Sequence, residues 1–197
     1  MDNLLFETVS CGLPDFRDAI RRHYTQSRGA PPGKKQAWRI TFGGVVLGWV
    51  GAGEPAYKLA PRRRLGLNDA RPAEHTVSNF ILRLERSCGP RASDIIKAWL
   101  PVLKRDWCSR YGWEPLHIET LVDPECVGDG DTHVAGYSFR RAGFRSLGFT
   151  TGRTARRPEG HTRLDTPRVW SDSSPKLLLY YGPLPRVHLA TATEQRT

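Results

Sequence analysis

Two carboxylates carry the most pointed chemistry in this 197-residue chain. Glu119 and Asp123 stand four apart in the block Asp106 to Glu125, DWCSRYGWEPLHIETLVDPE. The run Leu116 to Val122 reads as a strand, and on a strand that spacing puts both acids on one face. An acid in mid-strand among apolar residues needs a partner or a purpose, because an unpaired buried carboxylate is too costly. Glu119 therefore has two readings: a base that takes a proton from an amine or a nucleobase N6, or a buried pair with an arginine. Asp123, at the strand exit before Pro124, is either a group at the mouth of a crevice, where strand ends open, or the start of a turn. His23, next to Tyr24, is a ligand or base near neutral pH or an ordinary surface or core histidine. His133 and Tyr137, spaced i and i+4, face one way on a helix, either toward a crevice or into packing.

The charge is the second chemical signal. The net charge is +10, and of the 30 basic residues 24 are Arg and six are Lys. A guanidinium is a flat fork that pairs with phosphate oxygens. Arg62, Arg63, Arg64, Arg140, Arg141, Arg145, Arg153, Arg156 and Arg157 form a set suited to phosphate contacts around a groove in double-stranded DNA. A GC-rich genome would also favour Arg over Lys, though it accounts less well for the excess of positive charge. Tyr57 or Trp170, in polar segments, could stack on an extruded base. The four cysteines (Cys11, Cys88, Cys108, Cys126) lie too far apart for a CxxC metal site and read as reduced thiols.

These residues must be positioned by a small set of elements. Pro14 to Tyr24 has Phe16, Ile20 and Tyr24 on one stripe and predicts a helix. Trp38 to Ala52 predicts a hairpin turning at Gly43-Gly44. Pro55 to Glu74 reads as a long polar excursion, and His75 to Glu85 as a strand. Ser87 to Arg91 is a turn, with Ser93 the expected N-cap of a helix from Asp94 to Tyr111. Pro101 should kink that helix, and Gly112 should end it. A strand at Leu116–Val122 follows, then a short helix from Thr132 to Gly143. Strands at Phe144–Thr151 and Lys176–Tyr181 complete the series, with a polar, aperiodic stretch from Arg153 to Ser174 between them. The order predicts an α/β (α+β) fold, a mixed central sheet flanked by helices, in one domain over residues 1–189 with a frayed tail at 190–197. No apolar run reaches the roughly 20 residues of a membrane span. The N-terminus lacks a signal-peptide pattern, so the expected compartment is the cytoplasm. The oligomeric state is open, a homodimer included.

Hairpin, strand, turn, long helix, strand, helix and strand is an order that resembles the N-acyltransferase (GNAT) fold. The segments NFILRLERSCGPRASDII and DWCSRYGWEPLHIETLVDPE, with AGFRSLGFTTGR downstream, resemble the Druantia protein A family over about Asn79 to Arg153. His23-Tyr24-Thr25, the loop from Leu82-Arg83 to Ser93, Asp123, and Tyr137 or Phe139 resemble the Mom group of phage DNA-modification proteins. The resemblance implies a transferase acting on adenine N6 in DNA and protecting phage DNA from restriction, with His23, Tyr24, Glu119, Asp123 and Tyr137 as the catalytic set. It also implies an Fe(II) ion held by His23, Asp123 and Tyr137, donors that suit such an ion. A GNAT-type site implies acyl-CoA, or another small acyl or amino donor, on Arg86, Gly89, Arg91 and Ser93, with its pyrophosphate at the helix N-terminus. Arg91 stands where that pattern has a small residue, and Asp94 adds a like charge there. Two other readings remain: a non-catalytic DNA-binding component of a defence or transposon system, and a GNAT acting on amines of RNA or protein.

Overall fold

A computed structural model describes residues 4–22, 29–56, 59–65, 73–85, 89–124, 134–151, 153–156, 169–172 and 174–183. Seven strands form one sheet in the order β1 (Leu4–Val9), β2 (Lys35–Phe42), β3 (Val45–Gly53), β4 (Thr76–Leu84), β5 (His117–Val122), β9 (Leu177–Tyr181) and β6 (Arg145–Phe149). A separate two-stranded sheet pairs β7 (Arg153–Arg156) with β8 (Val169–Asp172). Every pairing in the large sheet is antiparallel except β4 with β5. That single parallel pair, joined through a long crossover helix, makes this the expected mixed α/β sheet.

The crossover is α2 (Ala92–Tyr111), and it buries Ile95, Ile96, Trp99, Leu100, Leu103 and Trp107. This stripe packs on Trp38, Ile40, Val50, Val77, Ile118, Leu177 and Leu179, making the main core. Trp38 meets Trp99 edge-on at 5.7 Å between ring centres, the geometry that suits the ring quadrupoles. The opposite face is covered in two places. α1 (Pro14–Arg22) lays Phe16, Ala19 and Ile20 on Ala37, Trp49, Phe80 and Ile81. A 3₁₀ helix (Ala60–Leu65) brings Leu65 against Leu147, Leu178 and Tyr180.

Several local expectations shift. The hairpin does turn at Gly43 and Gly44, both with positive φ (55° and 80°). Gly112 does end α2, in the left-handed conformation at φ 79°, with its N–H on the Cys108 carbonyl. The N-cap of α2, however, is Arg91 rather than Ser93: Arg91 is extended (φ −63°, ψ 147°), and no side chain caps the helix. Ser93 sits inside the first turn. α2 runs unbroken through Pro101, which lies on its solvent side. Of the helix expected from Thr132 to Gly143, the described residues from 134 on form only α3 (Tyr137–Arg141), because Gly136 before it is left-handed at φ 69° and cannot continue a helix backward. Four elements were not expected: β1, a half-exposed edge strand; the 3₁₀ helix Ala60–Leu65 within the polar excursion; and β7 and β8 within the aperiodic stretch.

Candidate active-site crevice

The parallel pairing of β4 with β5 covers only Thr76↔His117 through Asn79↔Thr120. β4 then runs on to Leu84 and β5 to Val122 without pairing to each other. The cause is local. Between Gly51 and Ala52 of β3 the register with β4 shifts, so that Gly51 faces Ile81 and Ala52 faces Asn79, and Phe80 is the extra residue of a bulge. Asn79 fills the opening. Its side-chain amide donates to the Gly51 carbonyl at 3.0 Å and to the Ile81 carbonyl at 2.8 Å. Its carbonyl oxygen accepts from the Thr120 hydroxyl at 3.2 Å. One buried amide thus satisfies both carbonyls at the bulge and marks the point where the strands part.

Beyond that point lies a crevice of about 240 Å³, lined by β4 from Asn79 to Leu84, by Thr120, Leu121 and Val122 of β5, and by Phe139 of α3. The β5-facing edge of β4 along Ile81–Leu84 has no strand partner, so its backbone is available to an extended ligand, as in strand addition. The crevice is bordered by charge: Arg83 is ion-paired to Glu85 at 3.3 Å, and Glu85 also binds Arg22 of α1 at 3.0 Å. After β4 in the chain, the turn at Gly89 (φ 112°) and the uncapped start of α2 leave first-turn N–H groups without a side-chain acceptor.

The carboxylates of β5 separate into two situations. Glu119, 2% exposed, accepts two bonds from Arg62 of the 3₁₀ helix, at 2.7 and 2.6 Å. Of its two sequence readings, the structure shows the buried arginine pair. Arg62 is itself fully buried, so it does not belong with the surface arginines expected to meet DNA phosphates. Its Nη1 is buried without a hydrogen-bond partner. Asp123, at the exit of β5, is 6% exposed and ion-paired with Lys176, the residue before β9. The other end of this strand also holds a polar pair: on the same face as Glu119 the His117 Nδ1 lies 2.5 Å from the Tyr180 hydroxyl. That hydroxyl donates its single proton to the Pro183 carbonyl at 2.9 Å, which makes Nδ1 the donor in the other bond. Burial, and then the Glu119 carboxylate, push the Tyr180 phenol up to about 12.

The remaining expected site residues are dispersed. His23, Tyr24, Arg86, Arg157 and His133 lie outside the described residues, as does Tyr57. Tyr137 opens α3, 42% exposed. Arg63, Arg64, Arg140, Arg141 and Arg145 are exposed, Arg145 donating to the Gly182 carbonyl at 2.6 Å. Arg153 and Arg156 are on β7, with their side chains outside what is described. For the Fe(II) expectation, Asp123 is engaged by Lys176, and among the described residues no group of three His, Cys, Asp or Glu side chains could hold a metal ion. Asn79 is the residue the sequence reading passed over. Its only signal was an amide inside an apolar strand, TVSNFILRL, where a polar side chain needs two or more partners.

No protein-family model matches the chain, and no curated protein matches it by sequence. Solved structures similar to it include three acetyltransferases. An aminoglycoside 6'-N-acetyltransferase from Enterococcus faecium aligns at 12% identity over 92% of this chain and 98% of its own, with a TM-score of 0.48. An aminoglycoside 6'-acetyltransferase type Ii aligns at 14% identity over 92% and 99%, with a TM-score of 0.44. The Salmonella typhimurium acetyltransferase that modifies the N-terminal serine of ribosomal protein L7/L12 aligns at 12% identity over 77% of this chain, with a TM-score of 0.40; the alignment spans 65% of that protein's length. At these identities the likeness concerns the backbone alone.

Proposed function

We propose that the chain is an N-acyltransferase that takes a CoA thioester in the crevice between β4 and β5. The observation that carries this reading is the parting of the one parallel strand pair at Asn79–Thr120, which leaves an unpaired β4 edge along a crevice of about 240 Å³. The amides of a pantetheine arm suit that edge, because an extended chain with alternating donors and acceptors can pair with it as a strand would. The uncapped N-terminus of α2, at the turn containing Gly89, suits the anionic end of the donor. The thioester supplies an activated acyl group. A neutral amine attacks the carbonyl carbon, the C–N bond forms as the C–S bond breaks, the amine gives up one proton, and the thiolate leaves and is protonated. Backbone N–H groups on the free edge of β4 are the chain's donors to the carbonyl oxygen as negative charge develops there. Asp123, at the β5 exit, is the carboxylate proposed to receive the amine proton, with Lys176 holding it in place.

The direct test is binding and turnover of acetyl-CoA. Thiol release that requires an added amine is the expected result. Leu82→Trp, which fills the crevice, should weaken CoA binding at least about tenfold, a change of roughly 1.4 kcal/mol. Absence of measurable CoA binding by the folded wild-type protein would sink the reading.

A second reading keeps this donor site and makes the acceptor an amine of a nucleic acid, adenine N6 in double-stranded DNA being the first candidate. The net charge of +10 favours it, since a polyanion is drawn to such a surface. Nucleoside mass spectrometry of DNA from cells producing the protein tests it. A modified adenine that disappears in Asp123→Asn is expected, and wholly unmodified DNA alongside active CoA turnover would assign the acceptor elsewhere.

A further inference from the structure

We propose that the chain binds a phosphate-bearing anion in a basic pocket between β1, α1 and the start of β2, at the end of the sheet away from the crevice. The strand register fixes that separation. Lys35, the first residue of β2, lies opposite Gly53, which lies opposite Ser78 near the start of β4, whereas the crevice runs from the bulge at Phe80 to the far end of β4. Two cavities of about 470 and 420 Å³ adjoin there and share Cys11, Gly12 and Lys35. Arg17, Arg21, Lys35 and Arg110 stand on their walls, and among the described residues no carboxylate does.

Three cations without a carboxylate partner, Arg17, Lys35 and Arg110, along these adjoining cavities repel one another unless an anion is present. Here the fold holds two of them in place. The Tyr111 hydroxyl accepts from the Lys35 backbone N–H at 3.0 Å and donates to the Lys35 carbonyl at 2.7 Å. These two bonds tie the last turn of α2 to the first residue of β2, and so keep Arg110 and Lys35 on one rim. The Lys35 ammonium donates to the Pro31 carbonyl at 2.8 Å, which orients it without neutralising it. Nearby acids are already committed. Asp18 pairs with Arg21 at 3.1 Å on the surface, and Asp106 accepts from Trp38, Thr8 and Arg105. Among the described residues Arg17, Lys35 and Arg110 have no carboxylate within ion-pair distance. Burial raises the Cys11 thiol, and the charges of Lys35 and Arg110 oppose that rise. Guanidinium forks beside a lysine favour phosphate oxygens, and a pocket of this size admits more than one phosphate group.

Cys11 supplies the test. It is free and half-buried in the pocket, while Cys108, exposed on α2, serves as reference in the same molecule. Each thiol's rate of alkylation by a neutral maleimide is followed by peptide-resolved mass spectrometry. Inorganic pyrophosphate and a short DNA duplex are added separately, with sodium chloride at matched ionic strength as control. At about ten times the dissociation constant, a bound anion should slow Cys11 about tenfold by mass action and leave Cys108 unchanged. Arg110→Gln and, independently, Arg17→Gln should lose most of that protection while keeping the wild-type circular dichroism. Protection by pyrophosphate assigns the site to a small phosphorylated molecule, and protection by the duplex alone assigns it to a nucleic-acid backbone. No protection by either, equal protection by sodium chloride, or full protection in both folded variants would overturn the proposal. This site is independent of the crevice, so failure of CoA binding leaves it standing.

Discussion

Arg62 and Glu119 form a fully buried, two-point ion pair, and a pair of this kind is held by mutual need more than by net gain. Removing one partner strands the other charge in the core. Arg62→Met alone should therefore destabilise by about 3–5 kcal/mol, while the double variant Arg62→Met/Glu119→Leu should recover much of the loss. Urea denaturation of the three proteins checks it, and equal losses in the single and double variants would refute the buried-pair account. Asp106 is the second residue with a committed environment. Burial raises its carboxyl, but the bonds from Arg105, Trp38 and Thr8 outweigh that and leave it below the ordinary range. Its contribution is present above the unfolded carboxylate range and is lost as pH falls through the lowered value. His117 works in the same direction for a different reason. Burial, with His75 and Lys104 nearby, holds its imidazole below the ordinary value, so the unfolded chain takes up the proton first. Stability on this account is full above about pH 6.5 and declines as pH falls through that region. The wild-type urea midpoint should drop between about pH 7.5 and about pH 5.5, and His117→Phe should show a shallower drop. Sequence reading saw that Glu119 required a partner. It did not name Arg62, because the partner arrives from a polar segment 57 residues away whose only local sign is three successive arginines.

At the scale of elements, the bulge on β4 decides where the crevice opens. Asn79→Ala would leave the Gly51 and Ile81 carbonyls and the Thr120 hydroxyl without their buried partner, a loss of about 1–3 kcal/mol. The same substitution should weaken CoA binding, whereas Asn79→Ala with unchanged affinity and a lowered denaturation midpoint would make the amide structural only. Gly48 is the second control point. A Cβ there would lie 2.0 Å from the Arg83 carbonyl oxygen, so Gly48→Ala must push β3 away from the crevice strand. A fall in thermal midpoint of several degrees is expected for a loss of even about 1–2 kcal/mol. The elements with strong periodicity, α1, α2, the hairpin, β4 and β5, were legible because their apolar spacing records which face is buried. β1 and β7–β8 were not. An edge strand buries only part of one face, so its pattern is weak, and the stretch holding β7 and β8 has no apolar period. α3 was read as longer than it is because Gly136 looks like any other glycine until its left-handed conformation is seen.

Across the whole molecule, charge is distributed in two regimes. Within the core Arg62 is paired with Glu119; on the surface, Arg17, Lys35 and Arg110 line two adjoining cavities with no acid on their walls among the described residues. The surface excess should make any nucleic-acid affinity fall steeply with salt, while CoA binding in the crevice should vary less. Core packing links both halves of the sheet. Trp38, Trp99 and Trp107 sit in the main cluster under α2, and Trp49 lies under α1 on the opposite face. Tryptophan fluorescence and far-UV circular dichroism should accordingly report coincident unfolding transitions, and separated midpoints would refute a single cooperative core. Among the described residues no helix is long and apolar enough to cross a membrane.

The fold class, the long amphipathic helix and its glycine stop, the hairpin, the strand bearing Glu119 and the strongly basic character follow from the residues in order, before any packing. Each of these is written in local periodicity, in a turn residue or in composition. That Glu119 is tied to Arg62, that Asn79 parts β4 from β5, and that Lys35 and Arg110 stand beside Cys11 emerges only once the chain is packed. Those outcomes depend on which distant segments meet, and a buried charge, a bulge or a pocket wall takes its meaning from the neighbour that packing supplies.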